Sequence, residues 1–254
     1  MRTEIIYEDH DLLIIRKPAG LATQTAKVGQ NDVVSELKTY LARKEKRAGK
    51  SAGTVYLGVI HRLDQPVEGL LVFAKTKETA AKLTSQLCSG ENGNTLNKQY
   101  LAVVCGKPSE TERELVDYLK KTSDARAQVV DEAGGNAQKA VLHYEVLRTL
   151  TVSDLFTAEG KDAVQDIANR AVSLVKIVIE TGRFHQIRAQ MSHAGLPLLG
   201  DSKYGNETSM EISAKLGVRT VALCAKELSF VHPVTHRELA FSCKPQGRIF
   251  QSFE

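Results

Sequence analysis

One carboxylate in this sequence stands where it could act on a substrate. Asp64 follows a His–Arg pair and precedes a turn and an apolar run in HRLDQPVEGLLVFAKT, residues 61–76. The apolar run at 69–74 predicts a buried strand, because a short continuous apolar segment suits a strand covered on both faces. A turn before such a strand would hold the carboxylate rigidly as a nucleophile or base. The alternative is a structural turn aspartate, a common role for Asp near Pro.

Motifs for cofactors and metals do not accompany this carboxylate. No GxGxxG or GxxxxGK[ST] segment occurs, so neither a dinucleotide fold nor a phosphate loop is indicated. His185 and His193 lie about 80° apart around a helix, so they do not share one face as an i,i+4 pair would. His61 and Asp64 could both bind a metal, but a third ligand would have to come from elsewhere in the fold. We therefore expect neither a cofactor nor a metal.

Composition is that of an ordinary globular protein. The chain has 254 residues, with 42% hydrophobic and 25% charged side chains. That length suits one large domain or two small ones, and we assign a single domain to 1–254. No run approaches the ~18 apolar residues of a membrane span, and the N-terminus resembles no signal peptide. The four cysteines are far apart and form no CxxC pair. They predict thiols in a reducing cytoplasm and no membrane partner. The oligomeric state stays open.

A basic segment suggests one class of partner. The net charge is only +4, but six Lys or Arg residues fall within 38–50, among them Lys44, Lys46 and Arg47, with Glu45 as the one acid. A solvated helix face is the common explanation of such a run. The alternative is contact with an anionic partner, because clustered Lys and Arg neutralise the phosphates of nucleic acids.

The elements that must position these residues are mainly strands. Alternating or continuous apolar patterns predict strands at 4–8, 12–16, 69–75, 98–105, 139–148 and 171–180, and near 219–225 and 237–243. Helical spacing predicts helices at 31–47, 77–89 and 184–194. The polar segment 151–170 is interpreted as a surface insertion. This order favours an α+β domain with a mixed, mostly antiparallel central sheet and flanking helices.

Five blocks in order resemble the RluA family of pseudouridine synthases over roughly residues 5–243. They are KPAG (17–20), HRLD with GLLVFAK (61–75), KQYLAVVCG (98–106), GRFHQIRAQMSHAGLPLLGDSKYG (182–205) and LCAKELSFVHP (223–233). The resemblance implies the pseudouridine synthase fold and the isomerisation of specific uridines in structured RNA, with rRNA favoured over tRNA. That reaction breaks the N1–C1′ bond, turns the base and joins C5 to C1′. It involves no net redox change, so no nucleotide cofactor is expected.

The resemblance also implies roles for particular residues. Asp64 is the catalytic carboxylate, attacking C1′ or C6 or removing a sugar proton. A buried carboxylate that must remain ionised needs a cation nearby, because burial disfavours its charged form, and the resemblance places Arg188 opposite it. Tyr100 is expected to stack on the target base and to take the C5 proton. A core aromatic is the alternative for Tyr100, and a surface ion pair is the alternative for Arg188.

Base flipping is required because a stacked uridine cannot reach a carboxylate in a cleft. The resemblance identifies Arg62 as the arginine that fills the vacated space, with a phosphate contact or structural ion pair as the alternative. Four further residues are expected to brace the RNA-binding cleft: His61, Arg183, His185 and Gln186. Leu223 is expected to form the apolar wall under the base. The basic residues Lys44, Lys46 and Arg47 are expected to contact the RNA backbone.

The chain departs from the family pattern in three places. Pro66-Val67-Glu68 stands where a small polar pair is usual, Cys224 stands where histidine is common, and no N-terminal S4 RNA-binding domain is expected. We interpret Cys224 as tolerated packing and expect the first departure to affect local geometry or RNA contacts. Two other functions stay open: a catalytically inactive RNA-binding or RNA-folding factor, and a metal-dependent hydrolase using His61, Asp64 and His185.

Overall fold

The described residues of the chain form two compact units. The computed structural model describes residues 1–27, 29–49, 55–87, 96–131, 134–156 and 164–254. The first unit comprises Met1–Lys98 and Ala225–Lys244, and the second comprises Gln99–Cys224 and Pro245–Glu254. The sequence-based assignment of a single domain to 1–254 stays a prediction.

Strands outnumber helices in the part of the chain that the structure describes. The strands are β1 (Glu4–Glu8), β2 (Leu12–Lys17), β3 (Gly58–Val59), β4 (Glu68–Ala74), β5 (Asn97–Cys105), β6 (Glu112–Lys121), β7 (Ala127–Val130), β8 (Gln138–Thr151), β9 (Ala171–Ile179), β10 (Leu223–Val231) and β11 (Glu238–Ser242). The helices are α1 (Val33–Arg47), α2 (Lys77–Leu87), α3 (Gln186–His193), α4 (Glu207–Lys215) and α5 (Arg248–Gln251), with a short 3-10 helix at Val152–Leu155. This is the predicted α+β class, which is confirmed.

The first unit is built on β2 and β4, which pair antiparallel at its centre. The strand order is β1-β2-β4-β10, with β3 beside β4 and β11 beside β10. All seven residues of β4 are buried, as the continuous apolar run predicts for a strand covered on both faces. Helix α1 begins at Asp32, whose side chain accepts a hydrogen bond from Ser35 N at 2.7 Å and so satisfies an end donor of the helix.

The second unit is an antiparallel sheet in the order β5-β9-β8-β6-β7. Its core includes Leu142, Val172, Val175 and Ile177, all fully buried. Helix α3 packs against β6 and β7. None of the helices in the described residues is long and apolar enough to cross a membrane.

Each predicted element is present, with shifted ends in places. The strand expected near 219–225 begins at Leu223, and the end of the helix expected at 77–89 lies outside the described residues beyond position 87. The sequence interpretation missed β3, β6, β7, α4 and α5. In β6 only Leu115 and Leu119 are buried, and a four-residue spacing fits a strand face as well as a helix face.

The ends of the segment 151–170 pack into the second unit. Val152, Val164 and Ile167 are almost completely buried, and Val152 N donates to Arg170 O at 2.8 Å. Residues 157–163 lie outside the described residues. The polar composition of the segment therefore concealed three apolar anchors, and its described ends do not lie wholly on the surface as an insertion would.

Candidate active site

Asp64 occupies the start of a tight turn that leads into β4. Its carbonyl oxygen accepts a hydrogen bond from Val67 N at 3.1 Å, and the residue is half-buried. The hydroxyl of Thr23 bridges both backbone groups of the preceding Leu63, donating to the oxygen at 2.8 Å and accepting from the nitrogen at 3.2 Å. The turn is therefore held by a second loop, and a rigid support of this kind suits a catalytic carboxylate.

That second loop begins with the KPAG segment, which forms hydrogen bonds with the other side of the turn. Gly20 N donates to Gln65 O at 2.8 Å, and Gln65 Nε2 donates back to Gly20 O at 3.2 Å. Gly20 has a φ of +82°, a backbone conformation that side chains disfavour. The first and second blocks of the sequence pattern are thus two loops that support each other, and Gly20 is required by the backbone geometry of that contact.

Lys17, the first residue of KPAG, is a functional-site residue that the sequence interpretation missed. Its side chain is completely buried, and Nζ donates to Pro18 O at 3.1 Å, Leu21 O at 2.6 Å and Gln65 O at 3.1 Å. Burial lowers the pKa of Lys17 to about 7, while the charges of Asp64 and Glu68 oppose that shift. Lys17 therefore ties the turn to β2 and supplies a buried cation whose charge interacts with Asp64.

The departure at Pro66-Val67-Glu68 is accommodated inside the first unit. Val67 and Glu68 are both buried, and Glu68 is one of the two carboxylates that favour a charged Lys17. The following Gly69 has a φ of +124°, and a Cβ built there would lie 2.4 Å from Ala225 O. The glycine is therefore required for the close approach of β4 to β10, whatever residues precede it.

His61 and Arg62 differ in exposure. His61 is half-buried, and its Nε2 accepts a hydrogen bond from Val72 N at 3.4 Å. Burial and the nearby charge of Lys98 lower the pKa of His61 to about 3, so its ring is neutral at physiological pH. Arg62 is exposed. His61 thus braces the turn against β4, while Arg62 is accessible from solvent.

The basic segment forms the last turns of α1. Lys44, Lys46 and Arg47 are all exposed, and the amino group of Lys44 pairs with Glu8 at 2.9 Å. A groove of about 670 Å³ beside the helix is lined by Lys44 and Arg47 together with the ring of Tyr40. This groove combines cations with an aromatic ring, a combination that suits a nucleic-acid strand.

In the second unit, Gln186 fixes the turn that starts α3. Its Oε1 accepts from Thr181 Oγ1 at 2.8 Å and from Arg183 N at 2.9 Å, and its Nε2 donates to Val141 O at 3.0 Å. Gln186 is only 4% exposed. Its amide is thus engaged inside the fold, which is a bracing role and leaves little surface for RNA.

Arg188 is buried, and it forms a bidentate ion pair with Asp201. Nε and Nη2 of Arg188 donate to the two carboxylate oxygens of Asp201 at 2.7 and 2.8 Å, and the guanidinium lies 5.0 Å from the ring centroid of Tyr204. Asp201 also accepts from the backbone nitrogens of Lys203 and Tyr204. The ion pair of Arg188 is therefore buried, unlike the surface ion pair that was the alternative to its catalytic role, and Asp201 is the partner that the sequence interpretation missed within GDSKYG.

Tyr100 and Leu223 are buried in the second unit. Tyr100 lies on β5 opposite Ile177 of β9 and is 5% exposed. Leu223 begins β10 and is 4% exposed, and the adjacent Cys224 is 1% exposed, consistent with its interpretation as a packed residue. The sequence pattern correctly placed the three side chains on strands, where the surrounding sheet restricts their movement.

The predicted site residues are divided between the two units. His61, Arg62, Asp64 and the basic residues of α1 belong to the first unit; Tyr100, Arg183, His185, Gln186, Arg188 and Leu223 belong to the second. His61, Arg62 and Asp64 lie within the turn at 61–68, and Arg183, His185, Gln186 and Arg188 lie within 181–188. The pairing of Asp64 with Arg188 and Tyr100 stays a prediction.

The last sequence block also has a role that the sequence interpretation missed. His232 Nδ1 accepts hydrogen bonds from the backbone nitrogens of Val234 and Thr235, both at 3.1 Å. Nε2 therefore carries the ring proton and donates a hydrogen bond to Asp9 Oδ2 at 2.9 Å. The histidine of FVHP thus joins the end of β10 to the hairpin between β1 and β2.

Two groups in the described ranges bring three possible metal ligands within 4.8 Å of one another: Asp9 with Asp11 and His232, and Glu114 with His143 and Glu180. Neither contains His61, Asp64 or His185. In the first group Asp9 accepts hydrogen bonds from Leu12 N and Asp11 N. The position of its carboxylate is therefore explained by the hairpin between β1 and β2.

Comparison with known proteins places the chain in a family. The family model described as RNA pseudouridylate synthase matches residues 11–193, a range that includes Asp64, Tyr100 and Arg188. The solved structure of human RNA pseudouridylate synthase domain containing 4 is similar with a TM-score of 0.69, over 98% of this chain and 91% of that one, at 23% identity. At that identity the structural similarity establishes the fold.

Curated relatives agree with the family match. Ribosomal large subunit pseudouridine synthase D of Zymomonas mobilis is 31% identical over 95% of this chain and 68% of its own length. tRNA pseudouridine synthase C of Haemophilus ducreyi is 30% identical over 95% of this chain and 90% of its own length. The chain therefore belongs to the RNA pseudouridylate synthase family, in its RluA-type branch. Its class of activity is isomerisation of uridine to pseudouridine in RNA, as the sequence predicted.

Proposed function

We propose that the chain isomerises specific uridines of structured RNA with Asp64 as the catalytic carboxylate. The observation that carries the proposal is the double support of the Asp64 turn, by Thr23 on one side and by Lys17 and Gly20 on the other. A surface turn without a catalytic task does not require a completely buried lysine beneath it. The rigid backbone suits an ionised carboxylate that must hold one position, and the Lys17 amine adds positive charge nearby in the fraction of molecules in which it is protonated.

The proposed roles of the second unit follow from its buried groups. Arg188 supplies a cation opposite Asp64, and its bidentate pair with Asp201 sets the direction of the guanidinium. Tyr100 stacks on the target base and takes the C5 proton when C5 has joined C1′. Leu223 forms the apolar wall under the base. The reaction adds no atom to the RNA and consumes no oxidant, so these side chains need no redox partner.

Tritium release from RNA that carries 5-tritiated uridine tests the role of Asp64. Release by the Asp64→Asn variant should fall at least about 100-fold, the lower end of what positioned proton-transfer groups contribute. The matched control is Asp11→Asn, which changes another half-buried aspartate of the first unit and should retain wild-type release. Equal release by wild type and Asp64→Asn would exclude the catalytic role. RNA binding without release by wild type would favour the inactive RNA-binding factor.

The RNA substrate is proposed to be rRNA, with tRNA as the alternative. Relatives of similar identity are named for each of the two, so substrate choice is decided by assaying a large-subunit rRNA transcript against a tRNA mixture. The exposed cations Lys44, Lys46 and Arg47 of α1 are proposed to contact the RNA backbone. The compartment is proposed to be a reducing cytoplasm, because Cys105 is a buried thiol that forms no disulfide.

Arg62 is proposed to occupy the space that the flipped uridine leaves. Removing the stacked base from a helix costs a few kcal/mol, so an exposed arginine that fills the gap matters only where a stack exists. Arg62→Ala should therefore lower kcat/KM by about 10-fold or more on a stem-loop and much less on an unstructured oligonucleotide. Arg237→Ala, at another exposed arginine of the first unit, is the control. Similar losses on both RNAs would contradict flipping by Arg62.

A further inference from the structure

An exposed phenylalanine precedes α3 in the second unit. Phe184 is 40% exposed, and Gly182 and Arg183 before it are exposed as well. A single exposed apolar side chain is common on protein surfaces. Phe184 differs because its ring stacks on the imidazole of His185, with centroids 3.8 Å apart and an interplanar angle of 20°. The ring is therefore held as a flat surface that is open to solvent.

The support beneath Phe184 is itself fixed. His185 Nδ1 lies 2.8 Å from the hydroxyl of Tyr204, and that hydroxyl also accepts from Ala127 N at 2.6 Å. His185 has a φ of +52°, in the left-handed region. A residue other than glycine is strained in that conformation, and such strain persists only where surrounding contacts enforce it. The two rings are thus pre-organised before any ligand binds.

One lysine lies over the ring of Phe184, and an exposed arginine precedes Phe184 in the chain. The amino group of Lys121 lies 4.9 Å from the centroid of Phe184, and because His185 covers one face, Lys121 lies over the other. Arg183 is exposed, and its Nε donates to Lys139 O at 2.9 Å. An exposed lysine over an aromatic ring is held more weakly than a stacked nucleobase. A base can therefore displace the lysine, which can then pair with a neighbouring phosphate.

We propose that Phe184 is a stacking platform for an unpaired base next to the target uridine, with Lys121 and Arg183 binding the flanking phosphates. Phe184 lies two residues before the first residue of α3 and four residues before Arg188 in the chain, so the platform adjoins the segment that carries the group assigned to the reaction. An aromatic ring between cations favours RNA over an apolar protein segment. The identity of the ligand as substrate RNA rests on the proposed function.

Tryptophan fluorescence tests the platform without relying on turnover. The chain has no tryptophan, so the Phe184→Trp variant carries one fluorophore at the platform. A 12-nucleotide oligouridine should quench it by stacking, while inorganic polyphosphate, which offers charge without bases, should not. Leu147→Trp is the control, at a side chain that is 45% exposed in the same unit, and neither probe should quench it. Absence of quenching in Phe184→Trp at saturating oligouridine would overturn the proposal.

Turnover then shows whether the platform serves the substrate. Phe184→Leu should raise KM for a stem-loop RNA by about 5- to 150-fold, the range reported for loss of one base–aromatic stack, with kcat within about twofold and the melting temperature unchanged. Phe184→Tyr keeps the ring and should restore KM. A lowered melting temperature with wild-type KM would mean a purely structural ring. If wild type releases no tritium, the proposed function fails while the fluorescence result still decides the platform.

Discussion

Replacing Lys17 with methionine removes a charge from the interior of the first unit while it keeps most of the side-chain volume. Lys17 is completely buried, and burial lowers its pKa from 10.5 to about 7 against the opposing charges of Asp64 and Glu68. Because the native state holds a proton on Lys17 less tightly than the unfolded state does, the stability of the wild type should rise with pH across this range.

The size of the effect follows from the two pKa values. Below about pH 7 both states carry the charge, and the native state bears the full cost of burying it. Between about pH 7 and 10.5 the native amine is neutral while the unfolded one is protonated, so the cost is relieved by about 1.36 kcal/mol for each pH unit, about 5 kcal/mol in all. From pH 6 to pH 9 the free energy of unfolding of wild type should therefore rise by about 2–3 kcal/mol relative to Lys17→Met.

Urea unfolding of both proteins at several pH values between 6 and 9 measures this difference. The three carbonyl oxygens that lose their donor in Lys17→Met lower its stability by an amount that does not depend on pH, so the slope isolates the charge. Lys75→Met is the control, at a partly exposed lysine that pairs with Glu8, and its profile should parallel wild type. The reasoning is refuted if the difference in unfolding free energy between wild type and Lys17→Met stays constant within about 0.5 kcal/mol from pH 6 to pH 9. Lys17 would then remain charged over that range, held as an ammonium by its three carbonyl acceptors.

Two further substitutions test the remaining supports of the site. Asp201→Asn removes the charge that pairs with the buried Arg188, so the free energy of unfolding in urea should fall by about 3–5 kcal/mol; a loss below about 1 kcal/mol would mean that this pair does not stabilise the fold. Gly69→Ala places a Cβ 2.4 Å from Ala225 O and should cost about 3 kcal/mol or more by the same measurement. Gly217→Ala, at another positive φ but with open space around it, should cost only about 1–2 kcal/mol, and equal losses for the two alanines would exclude the clash.

Local patterns predicted the elements that carry the site because each pattern has a local cause. The apolar run before Lys75 has no polar face to turn toward water, which favours a strand covered on both sides. It forms β4 at Glu68–Ala74, where every residue is buried. Val34, Leu37 and Leu41 recur at helical spacing and are the buried face of α1. The resemblance carried by five ordered blocks then identified the family, which the family match confirmed.

The contacts between distant residues escaped the sequence interpretation. Lys17 binds the carbonyl of Gln65, 48 residues away, and a lysine at the end of a strand is ordinarily solvated. Asp201 lies 13 residues beyond Arg188, across a chain reversal that no periodicity describes. Lys17 and Asp201 both lie within the sequence blocks that resemble the family. A charged residue inside such a block to which no role had been assigned was therefore the signal that could have found them.

The sequence by itself determined the family, the α+β class and the position of Asp64 on a turn before a buried strand, since hydrophobic pattern and turn chemistry act over a few residues. Only the tertiary structure decided which groups support that turn, which carboxylate pairs with Arg188, and that Phe184 lies exposed on His185. The physical reason is that burial and charge pairing depend on what the folded chain brings together from far apart. Lys17 becomes a buried, hydrogen-bonded amine only because folding brings Pro18 and Leu21 of one loop together with Gln65 of another.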